Sequence, residues 1–184
     1  MTSSFGKSDL VDAFERLDEE LARRGVRADL FVVGGAAMAI AYDARRTTTD
    51  VDAIFVPSDV VRESSKAVAE QLDLDPEWLN DGAKGFAPGD DPEQTPVFEG
   101  QFLSVAVASP RYLLAMKLLA SRTDRDIDDI KLLYQLCGLT TAEEGADLLQ
   151  SYYPSRVIPA RAQFLLQELF PEERSRDRDT GLGR

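Results

Sequence analysis

Leu30 to Pro57 reads LFVVGGAAMAIAYDARRTTTDVDAIFVP, and this stretch limits the chain more than any other. Leu30–Val33 is apolar and β-branched, the pattern of a strand covered on both faces. Gly34-Gly35 then permits a tight turn and lets the backbone come close to a ligand. Ala36–Tyr42 is built of small residues and suits a helix that packs tightly on a sheet. A basic, threonine-rich loop follows, and Asp50-Val51-Asp52-Ala53-Ile54-Phe55-Val56 makes a second strand. Residues i and i+2 of a strand point to one face, so Asp50 and Asp52 are expected side by side, within reach of the glycine turn. Adjacent carboxylates repel, and a raised pKa or a bound cation relieves the repulsion. With Mg²⁺ between them, such a pair becomes a site for a triphosphate.

The 184-residue chain contains no histidine. That removes the commonest general base, the Ser-His-Asp triad and histidine-ligated zinc. One cysteine, Cys137, allows neither a disulfide framework nor a cysteine metal site within one chain. Any chemistry must therefore run on carboxylates, hydroxyls, Lys or Arg, and hard oxygen ligands favour Mg²⁺ or Mn²⁺. The net charge of −12 argues against broad binding to nucleic acid. A local basic rim remains open, with Arg45, Arg46, Lys84 and the Arg23, Arg24, Arg27 cluster as its candidates. There is no run of about 18 apolar residues, and the amphipathic, acidic N-terminus does not read as a secretory signal. A cytoplasmic protein without membrane association is expected.

Further elements follow from periodicity and punctuation. Helices are expected at Ser8–Gly25 and Ser58–Leu72, each with its serine as cap, and from Ser109-Pro110 to Ser121. Others should run from Thr123 to Cys137, from a capping box at Thr141–Glu144 to Tyr153, and over 159–170. Asp75–Leu79 reads as a helical turn, Asn80–Pro96 as a long loop, and Val97-Phe98 with Phe102–Val107 as a hairpin. Lys117 interrupts the apolar run LLAMKLLA, so it either snorkels at a rim or points into a polar cleft. The aspartates near the start of the Thr123 helix suit capping and the helix dipole.

The order strand, Gly-Gly, helix, Asp-x-Asp strand resembles the signature of the polymerase-β-type nucleotidyltransferase superfamily. It stands here as Gly34-Gly35, fourteen intervening residues and Asp50-Val51-Asp52. Arg46-x-Thr48-x-Asp50-x-Asp52 looks like the AbiEii-type branch, the minimal nucleotidyltransferases of toxin–antitoxin and phage-defence systems. The later run Ser109-Pro110 … Lys117-Leu118 … Arg125-Asp126-x-x-Asp129-Ile130 resembles the second half of that branch. The resemblance spans roughly residues 25 to 137 and implies an α+β fold, a small mixed sheet flanked by helices with a helical part after it. It divides the chain into one domain over 1–172, with an α/β core at 1–108 and helices at 109–172, followed by a disordered tail at 173–184.

The resemblance also implies roles. Asp50 and Asp52 would bind Mg²⁺ (or Mn²⁺), and Gly34, Gly35, Arg46, Thr48 and Lys117 would contact the NTP. Lys117, Asp126 and Asp129 would complete the catalytic set. NMP would pass to an RNA, such as a tRNA 3′ end, or to a protein acceptor, with a cognate antitoxin as a further partner. A catalytically weak or inactive binding module on the same fold is the alternative. Many superfamily members carry a third acid on a later strand, where this chain has Ser104 in Phe102–Val107.

Overall fold

The computed structural model describes residues 4–171 apart from residue 122, with the backbone alone for 123–125. The tail expected to be disordered and the side chain of Asp124 lie outside the described residues.

Helix α1 (Lys7–Arg24) opens the fold and ends at Gly25, whose φ of 64° supplies the left-handed C-cap. Its N-cap is Gly6 rather than the expected Ser8, because Asp9 in the first turn accepts the Gly6 N–H at 2.7 Å. Strand β1 (Ala28–Val32) leads into α2 (Gly34–Ala37), which continues as one π-helical turn over Met38–Tyr42. Strand β2 (Val51–Val56) and α3 (Ser58–Leu72) follow; Pro57, not Ser58, is the α3 cap. A two-residue strand β3 (Leu79–Asn80) stands where the expected helical turn meets the expected long loop, and a 3₁₀ turn over Gly82–Phe86 lies within that loop. The hairpin β4 (Thr95–Glu99) and β5 (Leu103–Val107) completes a five-stranded sheet in the order β3-β2-β1-β5-β4. Strand β1 is central, antiparallel to β2 and parallel to β5. This is the mixed, helix-flanked α+β sheet of a nucleotidyltransferase-like fold.

Strand register sorts the two faces. Leu30 lies opposite Phe55 and Val105, and Val32 opposite Ala53 and Val107, so all six share one face. They are buried, and α1 and α3 pack against each other and against this layer. Phe31 and Ile54 occupy the other face, where the Phe31 ring meets Tyr112 edge-on at 5.2 Å. Tyr112 belongs to α4 (Pro110–Ala120), which starts where Ser109-Pro110 is expected to start it, Ser109 capping Tyr112 N–H at 3.4 Å. Helices α5 (Thr123–Cys137), α6 (Ala142–Tyr152) and α7 (Ala160–Leu169) form the helical part around α4. The capping box at Thr141–Glu144 is present. In α7, Ala162, Leu165 and Leu166 face inward, and Phe164 is exposed.

One contact in the helical part sets a stability test. A Cβ on Gly145 of α6 would overlap the Tyr134 hydroxyl. Tyr134 is buried, its ring stacks on Phe170 at 3.6 Å, and its hydroxyl donates to the Thr141 carbonyl. With the ring unable to retreat, Gly145→Ala is expected to cost about 1–3 kcal/mol through overpacking. Chemical denaturation of the two proteins side by side would measure it.

Candidate active site

Strand parity aims Asp52. Val51, Ala53 and Phe55 point into the α1/α3 layer, so Asp52 and Ile54 face the side covered by α4. Asp50 lies in the bend before β2 rather than in the strand, and it is exposed. The pair is therefore not held by strand geometry alone. The Thr48 hydroxyl donates to the Asp50 carbonyl at 2.9 Å, and the Thr49 hydroxyl lies 3.5 Å from Asp50 Oδ1. Thr48 itself is pinned by Phe5, through backbone bonds of 2.7 and 3.0 Å in both directions. Phe5 is buried, with its ring 6.1 Å from that of Trp78. No sequence pattern announces this anchor, because an isolated bridge has no periodicity.

The double glycine meets the acids directly. Gly34 has φ +64°, and a Cβ there would come 3.1 Å from Asp52 Oδ2. A Cβ on Gly35 would come 3.0 Å from Thr48 Oγ1. Both glycines are thus set by the residues opposite them, one by Asp52 and the other by Thr48.

Lys117 does not snorkel. Its side chain is only 10% exposed, and Nζ lies 2.7 Å from Asp126 Oδ1 and 2.8 Å from Asp129 Oδ2. The other oxygen of Asp129 takes the Arg46 guanidinium. Arg46 and Thr48 come from the loop before β2, Lys117 from α4, and Asp126 and Asp129 from α5. Three segments that are distant in sequence are thereby tied together. Gly34, Gly35, Thr48, Asp50, Asp52, Lys117, Asp126 and Asp129 all line one open cleft of about 720 Å³, and Arg46 joins it through Asp129. Thr47, Thr49, Ala83 and Phe86 line it too, and the sequence reading had not singled them out.

Ser104 stands away from this cleft. It pairs with Asp29 toward the start of β1, where its hydroxyl donates to Glu99 at 3.0 Å and accepts from Arg27 at 3.3 Å. The residue flanking Asp52 across the sheet is Asn80 of β3, whose Oδ1 accepts the Gly82 N–H at 2.9 Å. A two-residue strand is too short to show period-2 alternation, so this neighbour was not legible beforehand. The Arg23–Arg27 cluster also lies at that far end. Arg23 pairs with Glu20, Arg24 with Glu20 and Glu63, and Arg27 with Glu99. These arginines do not converge with Arg46 on the cleft. Cys137 is half-buried, and burial pushes its thiol up, which makes it a poor nucleophile.

Residues 8–139 match the family described as "Nucleotidyltransferase of unknown function (DUF6036)". The chain belongs to this nucleotidyltransferase family. The match contains every residue of the candidate site, from Gly34 to Asp129, and stops before α6. No curated protein and no solved structure matches the chain. No helix among the described residues is long and apolar enough to cross a membrane.

The donor set can be tested against the Mg²⁺ that such a family implies. Among the described residues no group of three or more His, Cys, Asp or Glu could hold a metal ion. What the cleft offers is the pair Asp50 and Asp52, both oxygen donors. Mg²⁺ commonly takes one or two carboxylates and completes its shell with substrate phosphates and water. The pair fits that mode of binding.

Proposed function

We propose that the chain is a Mg²⁺-dependent (or Mn²⁺-dependent) nucleotidyltransferase that moves NMP from an NTP to an acceptor hydroxyl. The acceptor is an RNA, with a tRNA 3′ end as the favoured case, or a protein, and the AbiEii-like branch suggests a toxin countered by an antitoxin. The observation that carries this reading is the convergence of Asp50, Asp52, Lys117, Asp126 and Asp129 on the cleft beside Gly34-Gly35.

Asp50 and Asp52 would hold the cation, which when bound neutralises triphosphate charge and makes the α-phosphorus more electrophilic. The bare backbone at Gly34 and Gly35 leaves room for phosphate oxygens to approach. Lys117 neutralises charge on the triphosphate and on the leaving pyrophosphate. Asp129, with both oxygens engaged by Arg46 and Lys117, orients the lysine. Asp126 meets Lys117 through Oδ1 and takes the proton of the attacking hydroxyl. A new bond forms between the acceptor oxygen and the α-phosphorus, the α–β bridging bond breaks, and pyrophosphate departs.

The direct test incubates the protein with each α-labelled NTP, Mg²⁺, total RNA and cell protein, resolving both acceptors on one gel. Label on RNA or protein that disappears in Asp52→Ala supports the reading. Label that persists in both Asp50→Ala and Asp52→Ala would overturn these roles. Asn80, an amide beside Asp52, favours a second reading in which catalysis is weak and the fold serves nucleotide sensing. Tight NTP binding without transfer to any acceptor would select it.

A paired substitution isolates the glycine contact. Gly34→Ala and Gly25→Ala both force alanine into a left-handed conformation, costing about 1–2 kcal/mol each. Only Gly34 faces a carboxylate; Gly25 has open space around it. Both variants should lose similar stability, and Gly34→Ala alone should weaken Mg-NTP binding by calorimetry. Equal binding by the two variants would show that the contact with Asp52 is without consequence.

A further inference from the structure

We infer that the apolar wall of the cleft seats the nucleobase of the incoming triphosphate, with Phe86 as the ring on which it stacks. This rests on the nucleotidyl-transfer reading above and specifies which part of the substrate the rest of the cleft takes.

The cleft is lined by two chemically distinct sets of residues. One carries Gly34, Gly35, the threonines and the acids. The other consists of Ala83, Phe86, Leu113, Met116 and Ala120, from the 3₁₀ turn and α4. The apolar side rises next to the acids, because Asn80 pairs with Asp52 and the turn begins two residues later and packs on β2. A triphosphate held at Asp50 and Asp52 therefore has its base end beside this wall.

Phe86 is 56% exposed although it lines a cleft. A single exposed ring on an outer surface needs no explanation, but this one is mounted on a fixed backbone. The Phe86 carbonyl accepts the Tyr153 hydroxyl at 2.6 Å, and the Gly89 carbonyl accepts the Tyr112 hydroxyl at 2.9 Å. Further along the same segment, Asp91 is buried and accepts the Ser109 N–H at 2.7 Å and its hydroxyl at 3.0 Å. Burial raises the Tyr153 phenol well above its ordinary range, so it remains a donor. Three tethers thus hold the end of the turn and the segment after it to the helical part that also carries Lys117. A base presents a π-face of the size that such a ring covers, and stacking tolerates any base. None of the five wall side chains can donate a hydrogen bond and only the Met116 thioether can accept one, weakly, so they select by ring area rather than by base edge.

The test is calorimetry on the full chain with Mg²⁺, using inorganic tripolyphosphate and the α,β-methylene analogues of ATP, GTP, CTP and UTP, which cannot be transferred. Every nucleotide should bind more tightly than tripolyphosphate, and the two purines more tightly than the two pyrimidines. Phe86→Ala should weaken nucleotide binding on the order of 10-fold or more and leave tripolyphosphate affinity unchanged. Phe86→Trp should retain the gain from the base. The ring is mostly exposed, so both variants should melt like the parent. Undiminished nucleotide binding by Phe86→Ala overturns the seat. So does a strong preference for one base that survives the substitution. Tripolyphosphate that fails to bind overturns the phosphate reading itself. Tripolyphosphate that binds, with no gain from any base, overturns the seat alone.

Discussion

Asp52→Asn is expected to lower nucleotidyl transfer on the order of 10³-fold. The substitution keeps the side-chain shape, and with it the close approach to Gly34. It removes one of the two anionic donors that the cleft offers a cation. A cation there would then have Asp50 as its one remaining partner of the pair, and Lys117 would face more of the transition state's negative charge. Asp50→Asn should lose less, because Asp50 stands in an exposed bend while Asp52 lies within β2, paired with Asn80 of β3. Initial rates with labelled NTP across a Mg²⁺ titration would separate lost metal affinity from lost chemistry. Transfer at the parental rate by Asp52→Asn would remove this residue from the site.

Lys117→Met is expected to destabilise the fold by about 3–5 kcal/mol, since it removes the cation between buried Asp129 and the largely buried side chain of Asp126. For a chain of this size that corresponds to a fall in melting temperature of roughly 10 °C. Methionine can occupy the space of the lysine stem, so lost packing contributes little. The side chains concerned are 10%, 15% and 7% exposed for Lys117, Asp126 and Asp129, which limits screening by solvent. Arg46→Ala should cost much less, because that guanidinium is 33% exposed. Adding Asp129→Asn to Lys117→Met should restore part of the loss, since it removes a charge that the first change left poorly compensated. Urea midpoints at constant m-value would measure the parent, these three variants and Asp129→Asn alone. Additive losses in the double variant would show that Lys117 and Asp129 are not coupled.

Much of the site could be read from the chain because its determinants are local. Gly34-Gly35, the alternation in Val51–Val56 and the Ser109-Pro110 start of α4 each announce themselves through turn chemistry, period or capping. Lys117 and Asp129 were harder, since a lysine in an apolar run has two ordinary explanations and only their contact across α4 and α5 decides between them. Other features were out of reach for physical reasons. Asn80 lies on a strand of two residues, Phe5 acts through one isolated bridge, and Phe86 owes its position to tyrosines more than twenty residues away. Asp50 was read as part of a strand because the text alternates through it. The ladder starts one residue later, and threonine hydroxyls take over where strand pairing ends.

The direction in which Asp52 points is specified by residues that carry no charge. Val51, Ala53 and Phe55 bury themselves toward α1 and α3, and the acid between them is left facing α4. Function and folding are therefore written in alternate letters of the same short word. Exchanging the aspartate should silence the cleft and leave the sheet standing. Deleting a single residue within β2 should damage both, because a one-residue slip turns the carboxylate into the core and the strand's apolar residues toward the substrate. Length variation should accordingly be tolerated in the exposed part of the loop before the strand and not within the strand.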